Sequence, residues 1–578
     1  SDNPDEWYIE SSGDEAMVSM NPNSRLTVQG KLSFKQGSDD RFNYSILYQR
    51  MNWRDYTHRF KYNPDGDYRK FRRSYQHTGE WTHVVSSKTF FSLKFSNFSN
   101  KYEQYVYKDK YDKRYVNPQR FNYVGSNAFY TGGTRMWHFY RSTATIIGKF
   151  DYTSQMTKAH KIQFGAEGRR HKLWLHEFQL KLSRETNWQP EIGPLTSWNH
   201  NSYVFYPVEG AFYIQDKMEF KDMIVNAGLR FDYFFSDGKV PTNFRMPAAS
   251  KKRGVKSDTQ LSPRFGISYP ISDRGAIHVS YGHFFQIPTF EYLYLNPEFE
   301  VYPIQSAEDP PPQSMLNTMG NAELKPQKTV IYEVGLKQAL TENFGLEITG
   351  YYKDIRNLLG TEIHETIQGT KYARYINRDY GNVKGITIAL EKKSIGSGIG
   401  ASVDYTYQVA KGNASDPNAV FLDQQTEPPV ESEKQMVPLD WDRTHSLNMT
   451  VTLNMGPFNM SVVGKMGSGL PYTPTFQNVR TAVENSERKP PVYDFDLYFF
   501  RDFRAANMSF SPFLKVYNLF DRMNEINVYS DTGRAGYSLA GQYYGEIIRG
   551  INDLQEFLTR PDFYSEPRQI ITGVSVNF

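Results

Sequence analysis

In the stretch HKLWLH, His171 and His176 stand five residues apart. A metal needs ligands that converge, and in a strand an odd spacing sends two side chains to opposite faces. The pair therefore cannot chelate one ion. With twelve histidines scattered along the chain, chance proximity accounts for them better than a site does. Hydrolytic and phosphoryl chemistry lack their signatures too. There is no HExxH, no GxSxG and no phosphate-binding loop closed by Lys-Ser/Thr. No enzyme activity is expected.

Aromatic side chains offer more. The segment KYEQYVYKDKYDKRYVNPQRFNYV spaces Tyr102, Tyr105, Tyr107, Tyr111, Tyr115 and Tyr123 among charges, and Tyr543 and Tyr544 adjoin in SLAGQYYGEII. Rigid rings supply contact area at low entropic cost and stack on sugars or flat chelates. Tyr102, Tyr105, Tyr107, Tyr543 and Tyr544 are thus candidate ligand contacts in loops. The plainer reading is that they pack loops against one another. Asp416, Asp423, Glu427, Glu431 and Glu433 gather oxygens suited to Ca²⁺ in DPNAVFLDQQTEPPVESEK. Their spacing is not that of an EF-hand, so a solvated acidic loop is the default. No other cofactor or metal is expected.

The elements that must position these residues are strands. The chain has 578 residues, no cysteine, 42 Tyr and 40 Phe, and a mean hydropathy of −0.64. Many rings in a hydrophilic chain is an unusual pairing. No run approaches the roughly 20 apolar residues of a membrane helix, which leaves open spanning by short alternating strands. Net charge is +4 from 67 basic and 63 acidic residues, so nothing points to nucleic acid. Period-two alternation recurs in MIVNAGLRFDYF, FGLEITGYYK, TVIYEVGLK, VYDFDLYF and IGASVDYTYQV. The chain closes on QIITGVSVNF, where Ile570, Thr572, Val574, Val576 and Phe578 share one parity.

Connections alternate by length. Short polar turns occur at KQGSDD, SSKT, SQMTKA, FKD, SDRG, TENFG, SIGSG, MGPF and FRAAN, and long irregular segments at 98–140, 171–203, 286–326, 411–440 and 521–567. Short turns at one end and long loops at the other are the pattern of an outer-membrane barrel. Tyr233, Phe234, Tyr281, Phe284, Phe285, Tyr351, Tyr352, Phe499 and Phe500 cluster near expected strand ends, where an aromatic girdle would sit. The fold class expected is all-β: a transmembrane antiparallel β-barrel with about nineteen strands in this chain. Residues 1–24 read as an extracellular loop and 25–578 as the barrel. Arg230, Asp232, Glu333, Glu347, Asp404, Asp494 and Asp496 fall on the inward parity. They are candidates for a barrel wall facing a plug, against simple solvation of that wall.

Several segments together resemble one family. AFYIQDKMEF with NAGLRFDYF, LSPRFGISYPI, VSYGHFFQIPTFEYLY, GNAELKPQKTVIYEVGLK, PLDWDRTHSLN, GSGLPYTPT, LKVYNLFDR and EPRQIITGVSVNF are similar, in order, to the barrel of TonB-dependent outer-membrane receptors. The style resembles receptors of Bacteroidota. The resemblance covers residues 140–578 and, more weakly, the first strands. It implies a 22-strand barrel around a plug and a periplasmic box that binds TonB. It implies energised uptake of a siderophore, haem, cobalamin, an oligosaccharide or a peptide. It makes the terminal residues Val574, Val576 and Phe578 an assembly signal, facing lipid on a strand that pairs with the barrel's first. It implies the lipid bilayer and lipopolysaccharide as surroundings, and it admits a surface lipoprotein on the loops. The haem version is disfavoured, because Gln286-Ile287-Pro288 stands where an Arg-Ala-Pro is usual and no His lies between Pro288 and Asn321. No plug and no TonB box are visible. About three strands and the plug are expected on a companion fragment, on the same polypeptide, or nowhere. A structural scaffold barrel in a larger outer-membrane complex is the rival reading, and a passive porin a weaker one.

Overall fold

The computed structural model describes residues 16–116, 128–182, 188–195, 197, 199–299, 301, 318–394, 398–413, 436–476, 479–505, 508–544 and 552–577. Strands of nine residues or more number nineteen and form one antiparallel ladder in chain order. They are β1 (Asn23–Gln36), β2 (Asp40–Trp53), β3 (Arg69–Ser86), β4 (Thr89–Tyr105), β5 (Trp137–Gln155), β6 (His160–Lys181), β7 (Val208–Phe220), β8 (Met223–Phe235), β9 (Asp258–Ser272) and β10 (Gly275–Gln286). There follow β11 (Gln327–Ala339), β12 (Phe344–Glu365), β13 (Lys371–Lys392), β14 (Gly398–Gly412), β15 (His445–Met455), β16 (Phe458–Gly467), β17 (Val492–Arg501), β18 (Met508–Tyr517) and β19 (Gln569–Asn577). The hairpins fall where the short polar turns were expected. SIGSG and FRAAN lie partly outside the described residues.

Register turns parity into two faces, because residues directly opposite in a ladder point to the same side. From Phe34 the pairing runs Phe42, Trp81, Leu93, Phe150, Ala166, Phe212, Phe231 and Leu261 across β1 to β9. That row is apolar throughout. Leu32 is 73 % exposed, Phe34 63 %, Phe95 60 % and Val574 60 %. An apolar band this continuous is a surface for lipid and not for water. No helix among the described residues is long and apolar enough to cross a membrane.

The opposite face is polar. From Glu347 it runs Ala389, Asp404, Asn448, Lys465 and Asp494 across β12 to β17. Val574 and Val576 lie on the apolar face opposite Pro512 and Phe510 of β18, and Phe578 falls outside the described residues. The expected pairing of the last strand with the barrel's first is not made by the described residues. There β19 lies against β18 alone and β1 against β2 alone.

Two expectations need correction. Segments 98–140 and 171–203 are not wholly loops, since β4 runs to Tyr105, β5 starts at Trp137, β6 runs to Lys181 and a short strand occupies His200–Phe205. The ladder rises well beyond the membrane there. Aromatic edges and strand ends are also distinct. Tyr351 and Tyr352 stand inside the 22-residue β12, which continues past them to Glu365.

Candidate functional site

The polar face places all seven expected wall residues on one side. Arg230 Nε donates to Asp232 Oδ1 at 2.8 Å, and Ser280 donates to Glu333 Oε2 at 2.7 Å. Lys337 Nζ lies 3.1 Å from Glu347. Asp496 accepts from the backbone N–H of Asn518 at 3.0 Å. Asp404 and Asp494 share the row through Asn448 and Lys465. Contact with a plug is a separate matter that this placement allows.

Between β5 and β11 the inner wall is hollowed into a cavity of about 660 Å³ that reaches Arg230, Arg264 and Glu333. The hollow has a sequence cause. Gly228 and Gly282 stand opposite Arg264 on its two sides, and Gly266 faces Asn226 and Ser280. A Cβ at Gly266 would meet nothing nearer than 3.8 Å, whereas Gly228 and Gly282 let Gln215 and the Phe284 ring lie close, and the Arg264 guanidinium lies over that ring, 4.8 Å from its centroid.

Above the hollow the inner face becomes aromatic and cationic. Trp53 packs 5.8 Å from Tyr102, and Tyr102 packs 5.7 Å from Phe139. Arg72 covers Trp53 at 5.3 Å and Arg141 covers Tyr102 at 5.7 Å. Close by, His171 Nε2 lies 2.8 Å from Glu209, and its Nδ1 2.9 Å from Thr145 Oγ1. The short helix α1 (Phe290–Tyr294) leans in on the same side. Phe290 meets the His171 ring edge-on at 5.2 Å, and Tyr294 stacks on Phe205 at 4.2 Å. Gly320 lets this loop close, because a Cβ there would meet the Leu295 backbone N at 2.6 Å. The arrangement can hold a flat or glycosidic ligand by stacking, with cations ready for an anion.

The five aromatic candidates do not converge. Tyr102 and Tyr105 belong to β4 and not to a loop, three residues apart, so they face opposite sides. Tyr102 is the one on the inner wall. Tyr105 is 6 % exposed and stacks on His138 on the outside. Tyr107 sits under the Arg114 guanidinium at 4.0 Å and receives Tyr115 edge-on. Tyr543 is exposed against Phe476, and the side chain of Tyr544 lies outside the described residues. The acidic set Asp416, Asp423, Glu427, Glu431 and Glu433 lies wholly outside them as well. Among the described residues no three His, Asp or Glu side chains gather to hold a metal.

His171 and His176 do face opposite sides, as their spacing requires. His176 instead meets His200, Nε2 to Nε2 at 3.0 Å, with His200 Nδ1 donating to the Gly193 carbonyl at 2.6 Å. Nothing in the sequence singled out His200.

A second cluster caps the long-loop end, and sequence reasoning missed it. His58 Nε2 donates to the Phe557 carbonyl at 2.7 Å, and Tyr56 lies 2.8 Å from its Nδ1. Lys61 pairs with Glu556 at 2.9 Å, and the Tyr62 hydroxyl donates to the same carboxylate. Phe129 packs on both His58 and Phe557, and its backbone N–H donates to Asn552 Oδ1 at 3.1 Å. Burial pushes the His58 imidazole below its ordinary value. Hydrogen bonds from Tyr62 and Lys61 hold the Glu556 carboxyl down. These residues are 423 to 499 positions apart, so no local pattern could announce them.

Comparison with known proteins places these features. A family model described as TonB dependent receptor-like, beta-barrel matches residues 22–519. No curated protein sequence matches. Among solved structures, the outer membrane transporter YddB from Escherichia coli is 12 % identical at a TM-score of 0.61, over 88 % of this chain and 66 % of its own. The Ferric-Catecholate import receptor Fiu from K12 E. coli is 15 % identical at a TM-score of 0.58, over 98 % and 76 %. The FrpB iron transporter from Neisseria meningitidis is 12 % identical at 0.55, over 87 % and 68 %. At such identities the likeness is one of fold. The chain spans just under two thirds of the length of YddB.

Proposed function

The chain belongs to the TonB-dependent receptor-like β-barrel family of the outer membrane, and from that premise we propose that it takes up a scarce or bulky nutrient, energised through TonB. The carrying observation is the inner wall. A polar, charge-bearing face hollowed at Gly228, Gly266 and Gly282 lies below a mouth of stacked rings and guanidinium groups. Rings flanked by Arg72 and Arg141 favour an anionic or polyhydroxylated ligand, so the classes put forward are ferric siderophores, oligosaccharides and peptides. Paired groups such as Arg230–Asp232 and Lys337–Glu347 are polar contacts that a plug can make and release under force. TonB acting through such a plug is part of this proposal, as is a surface lipoprotein on the loops.

The test is uptake by intact cells. Labelled ferric siderophores, oligosaccharides and peptides are offered to wild-type and deletion strains, with and without a proton uncoupler. The expected outcome is loss of one class on deletion and on collapse of the gradient. If no class depends on both, and the protein instead co-purifies in a stable surface complex, the scaffold reading replaces this one.

A further inference from the structure

We infer that the ligand held at the mouth is a short zwitterionic peptide, its carboxylate on Arg72 and Arg141 and its ammonium on Glu177 and Glu291. This deepens the uptake reading by choosing among its three classes, and it rests on that reading for where a ligand enters.

Arg72, Tyr102 and Arg141 stand directly opposite one another on β3, β4 and β5, so two guanidinium groups flank one ring on the inner wall. Phe139 stands two residues above Arg141 and directly opposite Glu177 of β6, whose carboxylate accepts from Asn201 Nδ2 at 3.2 Å. Glu291 belongs to α1, which leans over this wall. The Tyr203 hydroxyl feels Glu177, Arg141 and Glu291 together, so the three charges share one site. None of the four charged groups makes an ion pair among the described residues. Other charges on the same wall do pair, Lys70 with Asp55 and Arg169 with Glu167. Arg72 Nε is buried without a partner, a donor that costs free energy until something accepts from it. Burial holds the Glu177 carboxyl above its ordinary value; the Asn201 bond opposes this and the like charge of Glu291 adds to it. A cation arriving there answers both acids.

Charges of both signs are thus left unanswered on one wall, and that decides among ligands. A neutral oligosaccharide would stack on Tyr102 and leave all four charges bare. An anionic ferric siderophore would satisfy the arginines but meet Glu177 and Glu291 as like charges, the device by which a surface rejects a wrong partner. A peptide with free ends brings one ammonium and one carboxylate. Spacing sets its length. Glu177 is a diagonal neighbour of Arg141, about 7–8 Å away between Cα atoms. Arg72 lies two strands further on, so the reach to it is about 16 Å at roughly 4.8 Å per strand. At about 3.4 Å per residue, that interval is filled by roughly three to five residues, and a free amino acid is too short. Tyr102 and Phe139, 5.7 Å apart, lie between the two ends and take side chains of varied kind by ring contact.

The test is native mass spectrometry of the protein purified from outer membranes. It is offered a mixed-sequence tetrapeptide library with free ends, the same library N-acetylated, the same library C-amidated, maltotetraose and a ferric tricatecholate. Wild type is expected to retain free tetrapeptides above all, and blocking either end should weaken retention about tenfold. Glu177→Gln with Glu291→Gln should erase the preference for a free N-terminus and keep that for a free C-terminus. Arg72→Gln with Arg141→Gln should do the reverse. The comparison of free with blocked libraries needs no variant, so it stands even if a variant misfolds. Equal retention of free and blocked libraries overturns the proposal, as does retention of the neutral sugar or the anionic chelate in their place, or of none of the five. Binding is read without TonB or a proton gradient. Absence of uptake with peptide binding intact would therefore sink the transport reading alone, and uptake of another class without peptide binding would sink this inference alone.

Discussion

The ladder and the cap of this molecule are built on opposite terms. In the ladder, a residue's surroundings follow from its parity and its height along the strand. Leu229 meets lipid because its parity is that of Ala227 and the exposed Phe231, whatever occupies the loops. In the cap, nothing follows from position. His58 Nε2 has a partner only because the chain returns 499 residues later with Phe557. The difference teaches that ladder residues are specified by class and cap residues by identity.

The sharpest break falls in the cap. Phe557 is 8 % exposed between His58 and Phe129, and a buried Phe→Ala change costs about 3–5 kcal/mol. Phe557→Ala should release loop 54–68, seen as faster hydrogen exchange at His58–Lys61, while the ladder keeps its protection. Loss of protection throughout β2 and β3 would make cap and ladder one unit.

Next comes the ladder's own rule. Val451 and Thr450 are neighbours on opposite faces of β15. Val451→Arg should cost about 2–4 kcal/mol near mid-membrane, and Thr450→Arg a small fraction of that, read by urea unfolding in vesicles. Equal costs would refute the assignment of faces.

A smaller effect is expected from acid. His58 is buried and its folded pKa lies below the ordinary 6.5. The unfolded loop therefore binds a proton first, and the cap loses stability as pH falls below about 6.5. Glu556 is lowered too, so its contribution persists until pH falls past the ordinary carboxylate range. Exchange rates of loop 54–68 should rise between neutral pH and about pH 5, and His58→Gln should flatten that rise. A flat wild-type profile would count against a neutral, buried His58.

The smallest effect belongs to an exposed wall pair. Lys337 and Glu347 are 66 % and 36 % exposed, and such pairs contribute about 0–1 kcal/mol. Lys337→Ala should leave stability within that range and change uptake only if a plug leans on that wall.

These contrasts also explain what could be read from the residues alone. The nineteen-strand ladder was legible because lipid on one side and polar groups on the other make alternation audible. Arg230, Asp232, Glu333 and Asp404 fell on the right face for that reason. The same signal fails where both faces are wet. Trp137–Tyr140 and Leu173–Phe178 read as loops, yet they continue β5 and β6, since above the bilayer no face must be apolar. The tyrosines 102 and 105 were grouped by composition and separated by parity. His200 and Phe557 gave no signal, because their partners come from folding and not from spacing.

The bond between His58 and Phe557 also sets an order in time. A chain that enters the membrane hairpin by hairpin can complete every rung of its ladder against the previous one, but His58, Phe129 and Tyr62 must wait for residues 552–557. Contacts of such long range form late. Until then the outward end carries bare rings and an imidazole whose Nε2 has no partner from the cap. A surface protease that cuts loop 54–68 would thus distinguish finished molecules from stalled ones, and the cap serves as the receipt of completed assembly.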